Sequence, residues 1–168
     1  TMRHMHVRVE IFELIQSLEG PGDPDTAEAS PRRIEAGKRI AALGNAENES
    51  WGIEHGFRYA ESPVICAGPQ IPAFDPLTCS GVAITGGRVP HYYLADGTPL
   101  IDLLSARSFT LIAVGSVEAG DIDAAAAALG VPFHLVRLEQ ENILDRLGSR
   151  LILVRPDQHI AWLGEAAP

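Results

Sequence analysis

The chain has 168 residues, 46% of them hydrophobic and 21% charged, with a formal net charge of −9. This composition describes one globular domain with a real core, or a small domain plus an arm, and excludes a disordered chain. The acidic balance argues against a phosphate-binding surface, so no nucleic-acid partner is expected, and no apolar run approaches the roughly 18–20 residues of a membrane-spanning helix.

Residues 7–18 carry an amphipathic helix pattern. Val7, Ile11, Leu14, Ile15 and Leu18 fall on one face of a 3.6-residue period, and Gly20-Pro21 ends it. His4 and His6 precede it. Without nearby Cys, Asp or further His they are expected to be a solvated, frayed end rather than metal ligands. Gly20 to Ser30 is a loop by its Pro, Gly and Asp content. Ser30-Pro31 then starts a second helix, with Ser as N-cap and Pro at the first helical position. Its apolar residues, Ile34, Ile40, Ala41 and Leu43, are sparse, and Gly44 ends it. The two helices do not make a domain alone. They are expected to be an arm that packs on something else.

Asn45 to Ser50 is a polar connector. Ile53, His55, Phe57 and Tyr59 alternate with Glu54, Gly56 and Arg58, which predicts a strand with His55 as a hydrogen-bonded structural residue on its apolar face. Ser62 to Cys66 is a second short strand or its continuation. Ala67 to Gly81, with three prolines, is irregular. Cys66 and Cys79 lie too far apart for a Cys-x-x-Cys pair, and two cysteines make no disulfide framework, so both are expected as free thiols. Free thiols fit a cytoplasmic protein.

The stretch Gly86 to Leu104 reads as a turn, a short strand at Tyr92–Leu94, an Asp96-Gly97 turn and an apolar run. After it the pattern becomes regular. Phe109 to Val114 is continuously apolar, as for a strand buried on both faces. Asp121 to Leu129 is an alanine-rich helix with an Asp N-cap and a Gly130 stop. Phe133 to Leu138 is a strand, and Glu139 to Leu147 a short helix stopped by Gly148. Leu151–Val154 and His159–Leu163 flank Arg155-Pro156-Asp157-Gln158 as a hairpin. Strand–helix–strand followed by an antiparallel hairpin predicts an α/β fold: a thioredoxin-like mixed sheet with covering helices, preceded by a helical arm and an irregular linker.

Collinear segments carry a resemblance. They are Gly87-Arg88-Val89-Pro90-His91, Leu94-Ala95-Asp96-Gly97, Asp102-Leu103, Phe109-Thr110-Leu111 and Leu153 to Trp162, joined by Asn45-Ala46-Glu47-Asn48 and by Gly52 to Tyr59 with Ser62-Pro63. Together they resemble the C-terminal segment of FAD-dependent aromatic hydroxylases, the phenol-hydroxylase-like flavoprotein monooxygenases. The resemblance implies a preceding domain ending in residues 1–50, and a thioredoxin-like C-terminal domain over 51–168 that stops early and leaves one sheet face less covered. It implies a structural and self-association role, with the rest of the monooxygenase as partner and a homo-oligomer, such as a dimer, as the assembly. FAD and NAD(P)H are expected in the parent enzyme, which would hydroxylate a phenolic or aromatic ring. None is expected in this segment, because Gly81 to Gly87 does not follow the Gly-x-Gly-x-x-Gly fingerprint.

No catalytic, cofactor or metal residue is assigned. Arg88 is expected to anchor structure by holding Asp96 or Asp102, or by capping carbonyls. His91, beside Pro90 and two tyrosines, has the chemistry of a general base but no nucleophile or second acid in sequence view. Tyr93 and Trp162 are expected in the core or at an interface. A thiol redox role is excluded where a thioredoxin would carry it, since the segment after Val114 is Gly115-Ser116-Val117-Glu118-Ala119-Gly120. The alternative function is a stand-alone thioredoxin-like binding module without redox cysteines.

Overall fold

The computed structural model describes residues 2–18, 30–44, 46, 48–66 and 72–167. The chain divides into two compact units, Thr1–Trp51 and Gly52–Pro168. The loop expected over residues 20–29 and the start of the irregular stretch at 67–71 lie outside the described residues.

The first unit is a helix pair, α1 (Met2–Gln16) and α2 (Ser30–Leu43). α1 begins earlier than the periodicity predicts, so His4 and His6 lie within the helix rather than before it. His4 Nε2 lies 3.3 Å from the Glu49 carbonyl, and Arg3 Nη1 donates to the same carbonyl at 3.1 Å. The inward face of α1 is Arg3, Val7, Glu10, Ile11 and Leu14. Ile15 and Leu18, expected on that face, are exposed. On α2, Ala36 is buried and Ile40 and Leu43 are partly buried, whereas Ile34 and Ala41 face solvent. Gly44 ends α2 with φ +60°, the left-handed conformation a helix stop favours. Arg39 Nη2 pairs with Glu10 Oε1 at 3.1 Å across the two helices.

At the start of the second unit the strand predicted over 53–59 does not form. Residues Trp51–His55 are a single helical turn, α3, closed by the Gly56 N–H on the Gly52 carbonyl at 2.9 Å. The reason is a close approach. Gly52 is buried, and a Cβ there would overlap the backbone carbonyl of Asp75. Only glycine permits that contact, and it fixes the turn before alternation can act. His55 is therefore exposed on a helix instead of sitting on a strand face. Residues 62–66 form turns rather than a second strand.

From residue 109 onward the order matches expectation. β1 (Phe109–Val114), α4 (Ile122–Ala128), β2 (Phe133–Leu138), α5 (Leu144–Leu147), β3 (Leu151–Val154) and β4 (Ile160–Gly164) follow in turn. A 3₁₀ turn at Glu141–Ile143 leads into α5, so the helix expected over 139–147 is shorter and partly tighter-wound. Asp121 occupies the N-cap position of α4, yet its side chain makes no capping bond. The sheet order is β2-β1-β3-β4, with β1 parallel to β2 and antiparallel to β3, and β3 antiparallel to β4. This is a mixed sheet with helices on it.

β1 is central, which explains why its residues are apolar on both sides. Leu111, Ile112, Ala113 and Val114 are fully buried. On one face Ile112 and Val114 pack with Val136, Leu138, Ile152, Val154 and Ile160 under Leu100, Ile143 and Leu147. On the other, Leu111, Ala113 and Leu151 form a smaller cluster with Ile122, Leu153 and Trp162, where Phe133 and Trp162 stay half-buried and Leu135 is exposed.

Ile152, at the centre of the larger cluster, sets the first testable outcome. Ile152→Ala should lower unfolding free energy in urea by about 2–5 kcal/mol, through lost transfer energy plus a cavity, while Leu135→Ala should cost less than about 1 kcal/mol.

Candidate functional site

Of the polar residues that draw attention in the sequence, Arg88 lies at the outer edge of β4, where the backbone of its stretch pairs with the sheet. Gly86 N–H donates to the Ile160 carbonyl at 2.7 Å, and Ile160 N–H donates to Gly87 at 2.8 Å. Val89 N–H reaches the Gln158 carbonyl and Cys66 N–H the Ala161 carbonyl, both at 2.9 Å. Arg88 and His159 form an isolated antiparallel bridge. The stretch expected to add a strand at Tyr92–Leu94 instead lays Gly86–Val89 along the sheet edge. Tyr92–Leu94 turns away into a tight loop, with Leu94 N–H on the Thr98 carbonyl and Leu100 N–H on the Tyr92 carbonyl, each 2.8 Å.

Arg88 does not hold Asp96 or Asp102. Its Nε and Nη2 both donate to Gln158 Oε1, at 3.1 and 2.6 Å. A neutral amide in the hairpin turn takes the guanidinium, because the bridge to His159 brings Arg88 alongside that turn. Gln158 itself has φ +68°, a conformation that non-glycine residues seldom adopt, and its N–H closes the turn on the Arg155 carbonyl at 2.9 Å.

Beside it lies an aromatic and charged cluster that sequence reasoning did not single out. The rings of Tyr59 and His159 meet edge to face at 4.8 Å, and Phe57 packs on Tyr59 at 5.2 Å. Arg155 Cζ sits 4.9 Å over the Tyr59 ring, and its Nη2 pairs with Asp157 Oδ2 at 2.8 Å. The Asp157 carbonyl is 3.0 Å from His159 Nδ1. The signal was present as the alternation Phe57, Tyr59, which reports ring packing against the hairpin rather than a strand. Arg58 donates to the Pro72 carbonyl and tethers the following loop.

His91 is exposed and stacks edge to face on Tyr93 at 4.6 Å. Tyr93 is 61% exposed, so it is not a core residue, whereas Trp162 is half-buried over the smaller cluster. Asp96 accepts the Thr98 N–H at 2.9 Å in an Asx turn. That backbone bond, with the Thr98 hydroxyl, holds its carboxyl below the ordinary aspartate range.

A groove of about 160 Å³ opens between α3 and the loop after Pro72, lined by His55, Phe57, Arg58, Phe74, Cys79 and Arg88 among others. Its volume falls short of the roughly 300 Å³ at which small-molecule sites begin. Within it, Arg58 and Arg88 are already engaged by Pro72 and Gln158. The Asp75 carboxylate accepts Leu77 N–H and Thr78 Oγ1. Cys66 and Cys79 are exposed free thiols. Among the described residues no three His, Cys, Asp or Glu are grouped to hold a metal. Thr85 Oγ1 is the buried side-chain polar atom without a partner among the described residues.

The glycine-rich stretch 81–87 does not fit a flavin pyrophosphate. A phosphate-binding turn offers free N–H groups at a helix start. Here the amides of Gly86 and Gly87 are spent on the Ile160 and Ile84 carbonyls, at 2.7 and 2.9 Å, and no helix follows them directly.

Comparison with known proteins decides the family. The family described as aromatic-ring hydroxylase, C-terminal, matches residues 83–168. The chain belongs to this family. The FAD-dependent monooxygenase apdD of Emericella nidulans is 31% identical over 134 residues, covering 73% of this chain and 21% of that protein. Phenol 2-monooxygenase of a Pseudomonas species is 31% identical over 147 residues, covering 75% of this chain and 24% of its own length. Tetracenomycin A2 monooxygenase-dioxygenase of Streptomyces glaucescens is 30% identical over 143 residues, with 75% and 25% covered. The chain therefore spans about a quarter of the length of the curated relatives it matches. Among solved structures, RebC with bound 7-carboxy-K252c superposes with a TM-score of 0.70 at 28% identity, over 95% of this chain and 30% of that one.

Two outcomes test this site. Arg88→Ala and Gln158→Ala should each lower stability modestly, and the double variant should cost little more than either alone, giving a coupling of about 0.5–1.5 kcal/mol in a denaturation cycle. For Asp96, the depressed folded pKa means its turn contributes stability above the unfolded aspartate pKa, lost as pH falls through the folded value. The stability gap between the protein and Asp96→Ala should thus narrow on acidification below that range, and a carboxyl NMR titration should place Asp96 below an ordinary aspartate.

Proposed function

We propose that this chain is the C-terminal structural and self-association domain of an FAD- and NAD(P)H-dependent monooxygenase that hydroxylates phenolic or aromatic substrates. By itself it is not catalytic. The observation that carries this reading is the family match over residues 83–168 in a chain spanning only 21–25% of its curated relatives.

In this reading residues 1–50 end the preceding domain and 51–168 form a thioredoxin-like C-terminal domain of a cytoplasmic enzyme. The parallel β1–α4–β2 unit followed by the antiparallel β3–β4 hairpin supports the thioredoxin-like assignment. The engaged amides at Gly86 and Gly87 support placing the flavin elsewhere, and the half-buried Phe133 and Trp162 supply apolar surface for subunit contact. In the parent enzyme a bound FAD would supply the oxygen chemistry and NAD(P)H its electrons. Arg58, Asp75 and Arg88 in the groove are committed to backbone and turn contacts, which supports positioning rather than reaction.

The test is direct. Purified alone, the chain should lack the yellow flavin absorbance and any NAD(P)H-dependent oxygen uptake. The encoding gene should continue upstream into a flavin-binding fold, and deleting residues 52–168 from that longer product should leave flavin bound while converting dimer to monomer by light scattering. Bound flavin in the isolated chain, or a deletion that leaves the dimer intact, would overturn the proposal. A gene that starts at this chain would favour the stand-alone binding module.

A further inference from the structure

The two edges of the sheet differ. β4 is flanked by Gly86–Val89 and Cys66, whereas β2 ends the sheet with β1 as its neighbouring strand. Phe109 N–H donates to the Pro132 carbonyl at 2.9 Å and Gly115 N–H to the Leu138 carbonyl at 2.7 Å. Between them the parallel register is unbroken, from Phe109 opposite Phe133 to Val114 opposite Leu138. Along such a strand alternate residues turn their backbone groups to opposite sides. The carbonyls of Pro132, His134, Val136 and Leu138 therefore face β1, and the N–H and C=O groups of Phe133, Leu135 and Arg137 face outward. Among the described residues none of these outward groups has a hydrogen-bond partner.

A free strand edge is ordinarily blunted by a bulge, a proline or inward-pointing charge. β2 has no register shift, and Pro132 stands before the strand rather than in it. The side chains of Phe133, Leu135 and Arg137 share one face of the sheet. Phe133 is half-buried, while Leu135 and Arg137 are exposed. Arg137 Nη1 donates to the Val117 carbonyl at 3.3 Å, a neutral acceptor that leaves its charge unpaired there.

We propose that the β2 edge pairs antiparallel with β2 of a second copy of this chain, about a twofold axis at Leu135, and joins two sheets into one. The proposal rests on the self-association proposed above and names its contact. The edge is complementary to itself. With the axis at Leu135, Leu135 stands opposite Leu135 and Phe133 opposite Arg137, so each outward residue meets an outward residue in a hydrogen-bonded pair, about six bonds in all. A register shifted by one residue sets outward groups against inward ones, and a shift by two leaves one end of each strand unpaired. The side chains agree with the same register. Each Arg137 guanidinium meets the Phe133 ring of the other copy, and the two Arg137 charges lie at opposite ends rather than opposed. Phe133 also belongs to the apolar surface assigned above to subunit contact.

The full-length gene product is the material for the test. Leu135→Pro removes one outward N–H and none that β1 uses, so the circular dichroism should be unchanged. The dimer dissociation constant from sedimentation should rise at least about tenfold, because the twofold axis repeats the loss. A second variant does not depend on proline being tolerated. With Cys66→Ser and Cys79→Ser as background, a short bifunctional thiol reagent should join two copies of Leu135→Cys at least about tenfold faster than two copies of Phe133→Cys, which stand at opposite ends of the pairing. A folded Leu135→Pro that dimerises undiminished, or Phe133→Cys joined as fast as Leu135→Cys, would overturn the edge pairing. The proposed function would still stand if deleting residues 52–168 gave a monomer. A dimer that survives that deletion, or a full-length product that is monomeric at every concentration, would overturn both.

Discussion

The second unit depends on how the edge of β4 is closed. An open strand edge presents unpaired amides and carbonyls that invite pairing with another chain. Here backbone from Gly86–Val89 and from Cys66 takes up the β4 edge at Ile160 and Ala161 and the hairpin turn at Gln158. Gly86 has φ +82°, and a Cβ there would press on Tyr59 at 3.0 Å. Glycine at that position lets the stretch lie flat on the sheet while carrying the 57–59 segment on its other side. Tyr59 N–H then donates to the Gly86 carbonyl at 2.9 Å, and the Tyr59–His159–Arg155 cluster assembles on top. Arg88 is thereby held at the seal. That places Arg88 against the Gln158 side chain, while His91 lies apart on the Tyr93 ring.

Most of the sheet was legible because its signals are redundant. Phe109 to Val114 is apolar throughout, and only a central strand buries both faces, which is where β1 lies. Gly130 and Gly148 stop their helices with φ +66° and +65°, as a glycine after a periodic run predicts. Arg155-Pro156-Asp157-Gln158 makes the hairpin turn it spells, displaced from β4 by one residue.

The failures share one cause. Over 53–59 and 92–94 the local pattern was real but tertiary contact decided its use. Alternation at Phe57 and Tyr59 reports two rings packed on His159, while Gly52 forces a helical turn just before them. Tyr92 and Leu94 do turn apolar surface to the core, yet their hydrogen bonds go to Leu100 and Thr98 within a loop. The Arg88 partner was missed for a related reason. A guanidinium suggests a carboxylate, and the nearest in sequence, Asp96, is consumed by its own turn at Thr98. Gln158 stands 70 residues away and becomes a neighbour only through sheet topology.

The same distinction separates the two units energetically. The sheet unit encloses two clusters of its own, so most of its large side chains are satisfied within the chain. Among the described residues the helix pair buries little more than Leu14 and Ala36. A pair of helices this short gains too little from propensity and one narrow contact to offset the conformational entropy of ordering it. On the outer side of α1, Met2, Met5, Val9 and Phe12 stay exposed and add nothing to that contact. The sheet unit thus has its β4 edge taken up by its own backbone and its core enclosed, whereas the helix pair rests on one narrow contact.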